Sequence, residues 1–227
     1  LGDRDLGTHL LRRALLDQDK SLTEVTGILC RALGVRSAVL PMTDAPVRTR
    51  VLTPEGELEF QDYFVARRAE TPITGIRFEG IEDAGPTEAV RSALARARAV
   101  IFCPSNPFVS LRPILELPGM ADAIRSSPGP KVAVSPIVGG RALKGPAAKM
   151  MKELGEKPSS SGVAQRYVDL LDGFVLDEVD RDEATRVEQM GLRIRVTNTV
   201  MNTLEEKIRL GREVLEFSDE IFQASRT

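Results

Sequence analysis

The sequence has little cysteine, a single histidine, no excess of either charge and no long apolar run. Each scarcity excludes something. Cys30 and Cys103 cannot make a disulfide framework, and with His9 alone they cannot make a thiolate zinc site. Lys and Arg number 31 against 33 Asp and Glu, a net charge of -2, so no strongly basic face is implied and nucleic acid is not an expected partner. No stretch approaches the roughly 20 apolar residues of a membrane span, and no signal peptide leads the chain. Neither a Walker phosphate loop nor a G-x-G-x-x-G string occurs. The expected compartment is a reducing cytoplasm.

What remains is an ordinary globular mixture, 42% hydrophobic and 28% charged in 227 residues, long enough for one domain with its own core. The chain opens on Leu1 and runs directly into a dense charged cluster, Gly2-Asp3-Arg4-Asp5, which reads as a start inside a domain.

Leu6, Leu10, Leu11, Leu15 and Leu16 keep a helical spacing. Ser21 and Glu24 make a capping box for a second helix carrying Val25, Ile28, Leu29 and Leu33, ended by Gly34. Residues 37–40 read as a short strand stopped by Pro41. Alternation over 47–52 and 57–60 around Thr53-Pro54-Glu55-Gly56 predicts a hairpin, and 46–80 as a whole reads as a small β-rich insertion. From residue 86 short apolar runs alternate with helical patterns. Strands are expected at 99–102, 131–134, 173–176 and 192–196. Helices are expected at 86–98, with Pro86 in the first turn, and at 145–154, 162–171, 182–190 and about 202–217. The last carries Leu204, Ile208, Val214, Leu215 and Phe217 on its apolar side. This order predicts an α/β fold with a mostly parallel sheet covered on both faces.

Open sheets of this kind bind ligands beyond the carboxyl ends of their strands. Five polar strings follow the expected strands: Thr43 and Asp44, Pro104-Ser105-Asn106-Pro107, Ser135 to Gly140, Asp177 to Asp182, and Thr197-Asn198-Thr199. Two prolines around Ser105 and Asn106 read either as a plain turn or as a rigid presentation. Gly139 and Gly140 read either as a connection or as an amide nest for phosphate. Asp177 to Asp182 reads first as a solvated helix start with Asp182 as cap. Asp3, Arg4, Asp5, Thr8 and His9 read either as a solvated helix N-terminus or as a polar cluster around the one histidine. Cys103 reads as buried filler.

Six strings occur in order: Leu1 to His9; Leu40-Pro41-Met42-Thr43-Asp44 through Val47; Phe60-Gln61-Asp62-Tyr63-Phe64-Val65; Pro104 to Pro107; Leu117-Pro118-Gly119-Met120; and Val134 to Gly140 followed by Gly145-Pro146-Ala147 and Lys149. Together they resemble the 2-phospho-L-lactate transferase family of coenzyme F-420 biosynthesis, whose bacterial members are also called phosphoenolpyruvate transferases. The resemblance implies a Rossmann-like three-layer fold and transfer of a phospholactyl or phosphoenolpyruvyl group from a guanosine diphosphate ester. The acceptor would be the ribityl hydroxyl of the deazaflavin Fo, and GMP would leave. It implies Mg²⁺ as cofactor and a homodimer. It places Asp3, Arg4, Asp5, Thr8 and His9 on the acceptor side. Ser105, Asn106, Ser135, Gly139 and Gly140 fall on the donor side, with Thr43 and Asp44 weaker candidates. No catalytic residue is assigned. Against the family pattern, no glycine-rich G-G-T-G type string is present, so the metal ligands are expected upstream of Leu1, and the chain is read as the C-terminal major part of one transferase domain. The alternative within the same fold is a YvcK-like regulatory protein that binds UDP-sugars without transferase activity.

Overall fold

The structure, a computed structural model, describes residues 2–225; Leu1, the first residue of the opening string, lies outside them. Helices α1 (Asp3–Leu16) and α2 (Leu22–Ala32) come first. Ser21 and Glu24 close the expected capping box on α2, and Gly34, at φ 68°, supplies the left-handed turn after it. Strands β1 (Arg48–Thr53), β2 (Gly56–Glu59) and β3 (Gly75–Glu79) form an antiparallel sheet in the order β2-β1-β3. A π-helical turn, Asp62–Ala66, interrupts it. Then follow α3 (Glu88–Leu94), β4 (Val100–Phe102), a second π-helical turn (Pro107–Leu111), α4 (Arg112–Leu115), α5 (Met120–Arg125) and β5 (Lys131–Val134). A small ribbon, β6 (Ile137–Val138) and β7 (Arg141–Ala142), leads to α6 (Ala147–Glu153) and α7 (Ser160–Tyr167). The chain continues through β8 (Gly173–Asp177), a 3₁₀ turn (Glu178–Glu183), α8 (Ala184–Glu188), β9 (Arg193–Thr197) and α9 (Leu204–Ala224).

The main sheet is parallel throughout, in the order β4-β5-β8-β9. Its side chains divide between two layers. Val132, Val134 and Val175 face Leu210, Val214, Phe217 and Ile221 of α9. Ala133, Phe174 and Leu176 join the larger core with Met150 and Met151 of α6 and Val163 and Ala164 of α7. This is why the strands read as unbroken apolar runs: both faces are covered. At Gly173 an added Cβ would stand 2.5 Å from Cδ1 of Ile221 and 2.9 Å from Cε1 of Phe217, so the bare backbone lets α9 approach β8. The architecture is the expected α/β fold, with the expected β-rich piece beside it. That piece is tied to α6 by Lys149, whose Nζ donates to Thr71 O at 2.9 Å, and by Glu153, whose Oε2 accepts from Ile73 N at 3.2 Å. Its outer face carries a ladder in which Arg50 donates to Glu79 at 2.7 Å and to Glu59 at 3.0 Å.

Several expectations are corrected. Residues 37–40 are not a strand. No neighbour ladders their backbone, and Val39 and Leu40 stay exposed. The helix expected at 86–98 is confined to Glu88–Leu94: Thr87 is its cap, accepting from Val90 N, so Pro86 precedes the cap instead of occupying the first turn. The helix expected at 162–171 starts earlier, at Ser160, because Ser159 caps it. The helix expected at 182–190 is a 3₁₀ turn followed by α8, and its cap is Asp177, not Asp182. In the closing helix Thr203 and Glu206 form a capping box, and the buried stripe is Leu210, Val214, Phe217 and Ile221. Leu204, Ile208 and Leu215 lie on another face, exposed. Cys103 is exposed, not buried. No helix among the described residues is long and apolar enough to cross a membrane.

Candidate active site at the strand tips

Three of the five expected strand tips meet in one pocket. A cavity of about 390 Å³ is lined by Ser105 and Asn106 after β4, Ser135 and Pro136 after β5, and Thr199 to Asn202 after β9. Lys144, from the loop before α6, and Lys207, at the end of the first turn of α9, complete the lining. Neither lysine makes an ion pair or a side-chain hydrogen bond among the described residues, and no carboxylate lines the pocket. A cleft open to solvent with two unneutralised cations and several hydroxyl and amide groups suits an anion.

The polar groups there divide into committed and free ones. The Asn106 side chain caps the turn that follows it, accepting from Phe108 N at 2.9 Å and Val109 N at 3.4 Å, and its amide nitrogen reaches Met150 Sδ at 3.3 Å. Buried Ser135 donates to Ile137 O at 2.9 Å, accepts from Ile137 N at 3.1 Å and lies 3.0 Å from Ser160 Oγ. Both therefore shape the wall. The Ser105 hydroxyl has no partner among the described residues and remains available to a ligand.

Gly139 and Gly140 do not line this pocket. Each has a positive φ, 57° and 72°, but the Gly139 amide is already taken by the Asp180 carboxylate, at 3.0 Å to Oδ1 and 3.2 Å to Oδ2. The expected phosphate nest is thus filled by a protein anion. Burial pushes the Asp180 carboxyl above its ordinary range, against bonds from Ser160 Oγ and Gly139 N that pull it down. Asp177, also buried, accepts from Val179 N at 3.0 Å and from Thr199 N and Thr199 Oγ1 at 2.7 and 2.9 Å.

The remaining expected residues lie elsewhere. Thr43 and Asp44 line a separate hollow of about 460 Å³ with Arg12 and Leu16 of α1. Asp44 accepts from Thr23 N at 2.7 Å, so it secures the start of α2, and Thr43 Oγ1 accepts from Ala45 N at 3.1 Å. Asp3, Arg4, Asp5, Thr8 and His9 occupy the first half of α1 and line neither cavity. All but Thr8 are exposed, and Thr8 spends its hydroxyl on Arg4 O at 2.9 Å. Met42 lines both the hollow beside α1 and an apolar groove along β4, and Ser105 lines both that groove and the strand-tip pocket. The three openings therefore adjoin along one side of the molecule.

Among the described residues no three His, Cys, Asp or Glu side chains gather to hold a metal ion. With no carboxylate in the pocket either, the residues present do not fit Mg²⁺. Lys144, Lys207 and Val200 to Asn202 were missed by the strand-tip reading, which ended at Thr199 after the last strand. One signal was available for Lys207: a cation at the positive end of a long helix is placed against the helix dipole.

Comparison with known proteins agrees with the six ordered strings. The family model described as 2-phospho-L-lactate transferase CofD matches residues 1–216. A 2-phospho-L-lactate transferase of Methanosarcina mazei is 37% identical over 216 residues, covering 95% of this chain and 71% of that protein. The phosphoenolpyruvate transferase of Streptomyces coelicolor is 36% identical over 229 residues, covering 99% and 72%. Among solved structures, a UPF0052-family protein from Bacillus halodurans superposes with a TM-score of 0.67 at 15% identity, covering 91% of this chain and 70% of that one, a likeness of fold alone. With a family match across nearly its whole length and a polar cavity at the tips of a parallel sheet, the chain belongs to the 2-phospho-L-lactate transferase family and is a transferase.

Proposed function

We propose that this protein acts in coenzyme F-420 biosynthesis. It moves a phospholactyl or phosphoenolpyruvyl group from a guanosine diphosphate ester to the deazaflavin Fo. The ribityl hydroxyl oxygen of Fo bonds to the phosphorus that carries the organic acid. The bond from that phosphorus to the GMP oxygen breaks, GMP leaves with the electron pair, and the hydroxyl proton is released. Reactions of this type need in-line placement and charge neutralisation more than a covalent protein group. One observation carries the reading: among the described residues, the two lysines of the strand-tip pocket have no counter-ion, the Ser105 hydroxyl has no partner, and no carboxylate lines the pocket to repel a diphosphate. Lys144 and Lys207 would balance the charge that gathers on the leaving GMP. In this reading the deazaflavin approaches through the adjoining openings, one of which Arg12 and Leu16 of α1 help to line. A homodimer belongs to the same reading.

Titration calorimetry with GDP and fluorescence titration with Fo test it. Both ligands are expected to bind, and Lys207→Ala is expected to weaken GDP about tenfold, as loss of one charge-assisted contact does. Tight binding of UDP-N-acetylglucosamine with none of Fo would establish the regulatory alternative instead.

A further inference from the structure

Open α/β sheets bind ligands beyond the carboxyl ends of their strands. Here β8 stands between β5 and β9, yet nothing from its tip lines the pocket. Two of its acidic residues, both buried, instead point at the neighbours on either side. Asp180 holds the Gly139 amide and the Ser160 hydroxyl, on the β5 side. Asp177 holds Thr199, on the β9 side, through both its backbone amide and its hydroxyl.

We infer that Asp177 is a positioning residue for the pocket wall formed by Thr199 to Asn202, and through it for Lys207. This rests on the reading of the pocket as the seat of the donor diphosphate. Asp177 is 3% exposed and Thr199 4%, so water does not compete for these bonds. One carboxylate oxygen accepts from Val179 N and the other from Thr199 N and Oγ1. The carboxylate thus ties the exit of β8 to the segment joining β9 and α9. Only an acceptor at both oxygens can do this. An amide at the same place faces a backbone N–H with its own NH₂ whichever way it turns. A buried carboxylate spent entirely on fixing a loop behind a pocket is what keeps an anion-binding group from drifting. A displacement of about 1 Å at such a group costs up to a hundredfold in rate.

The test compares Asp177→Asn with Val51→Ala, a truncation of a fully buried side chain in β1 that lowers stability away from the pocket. Thermal unfolding and the Kd for GDP are measured on both. Asp177→Asn is expected to weaken GDP about tenfold, as disturbed outer-shell contacts do, while Val51→Ala holds its Kd within about twofold at a comparable loss of melting temperature. An Asp177→Asn protein that binds GDP as tightly as the wild type would overturn the inference, and so would equal weakening in Val51→Ala. Lys207→Ala separates the two levels. If it leaves GDP affinity unchanged, the reading of the pocket fails and the inference with it. If it weakens GDP while Asp177→Asn does not, only the positioning role fails.

Discussion

Helices α1 and α9 both carry apolar residues at helical spacing and meet opposite fates. In α9 the stripe Leu210, Val214, Phe217 and Ile221 is buried against the valines of β5 and β8. In α1 nothing is buried, and Leu6, Leu10 and Leu11 are 48%, 63% and 42% exposed. Helical periodicity reports that one side of a helix is apolar; it says nothing about whether a surface exists to receive it. For α9 that surface is built by two sheet strands, with Gly173 removing the one side chain that would hold the helix away. The same contrast separates β4 from residues 37–40. Both are short apolar runs, but only β4 finds a neighbour, pairing with β5 from Val100↔Lys131 to Phe102↔Ala133. A 14-residue helix that buries no side chain fully gains little from packing and is marginal in water by itself, so α1 contributes less to stability than α9.

The largest expected effects fall on that asymmetry. Phe174→Ala empties a fully buried site in β8 and is expected to cost about 3–5 kcal/mol. Leu10→Ala is expected to stay within about 0.5 kcal/mol. Urea unfolding of the two variants measures the contrast directly. Equal losses would mean that α1 has a covered face in solution. Next in size is Gly173→Val, which drives a branched side chain into Phe217 and Ile221 and is expected to cost about 1–3 kcal/mol. Its signature is faster amide exchange along α9 with α1 unchanged. A neutral Gly173→Val would show that α9 adjusts freely and that the close approach is not required.

The sequence discloses the strands of the later part well, because their unbroken apolar runs agree with a sheet covered on both faces. It discloses the helix starts there less well: Ser159 caps α7, and a Thr203 box, not read from the sequence, starts α9. It discloses residues 37–40 poorly, since pairing depends on what lies alongside. For the candidate site the strand-tip rule named Ser105, Asn106 and Ser135, which line one pocket. It could not tell a free hydroxyl from a committed one. Ser105 is free while Ser135 is locked to Ile137 and Ser160, and nothing in a string of residue types distinguishes them. Gly139 fails for a related reason. Its φ is what a nest needs, but Asp180 lies 41 positions later in the chain, beyond any local reading.

The smallest expected effect concerns that aspartate. Asp180 is buried, and desolvation raises its pKa above the ordinary aspartate value of 3.8. The folded state then holds the proton more tightly than the unfolded chain. Its contribution to stability is most favourable below the unfolded pKa and is lost as pH rises through the folded pKa. Asp180→Asn removes the titration. Its amide oxygen can still accept from Gly139 N, and its NH₂ can donate to Ser160 Oγ, which in turn can donate to Ile137 O as it does now. Relative to wild type the variant is therefore expected to gain stability as pH increases from about 3 toward neutrality, and to bind GDP unchanged. Unfolding curves across that interval decide it. A stability difference independent of pH would mean that the Gly139 and Ser160 bonds fully offset the burial of the charge. A difference of opposite slope would mean that they outweigh it, making Asp180 a net anchor of the β5 side of the pocket in its ionised form.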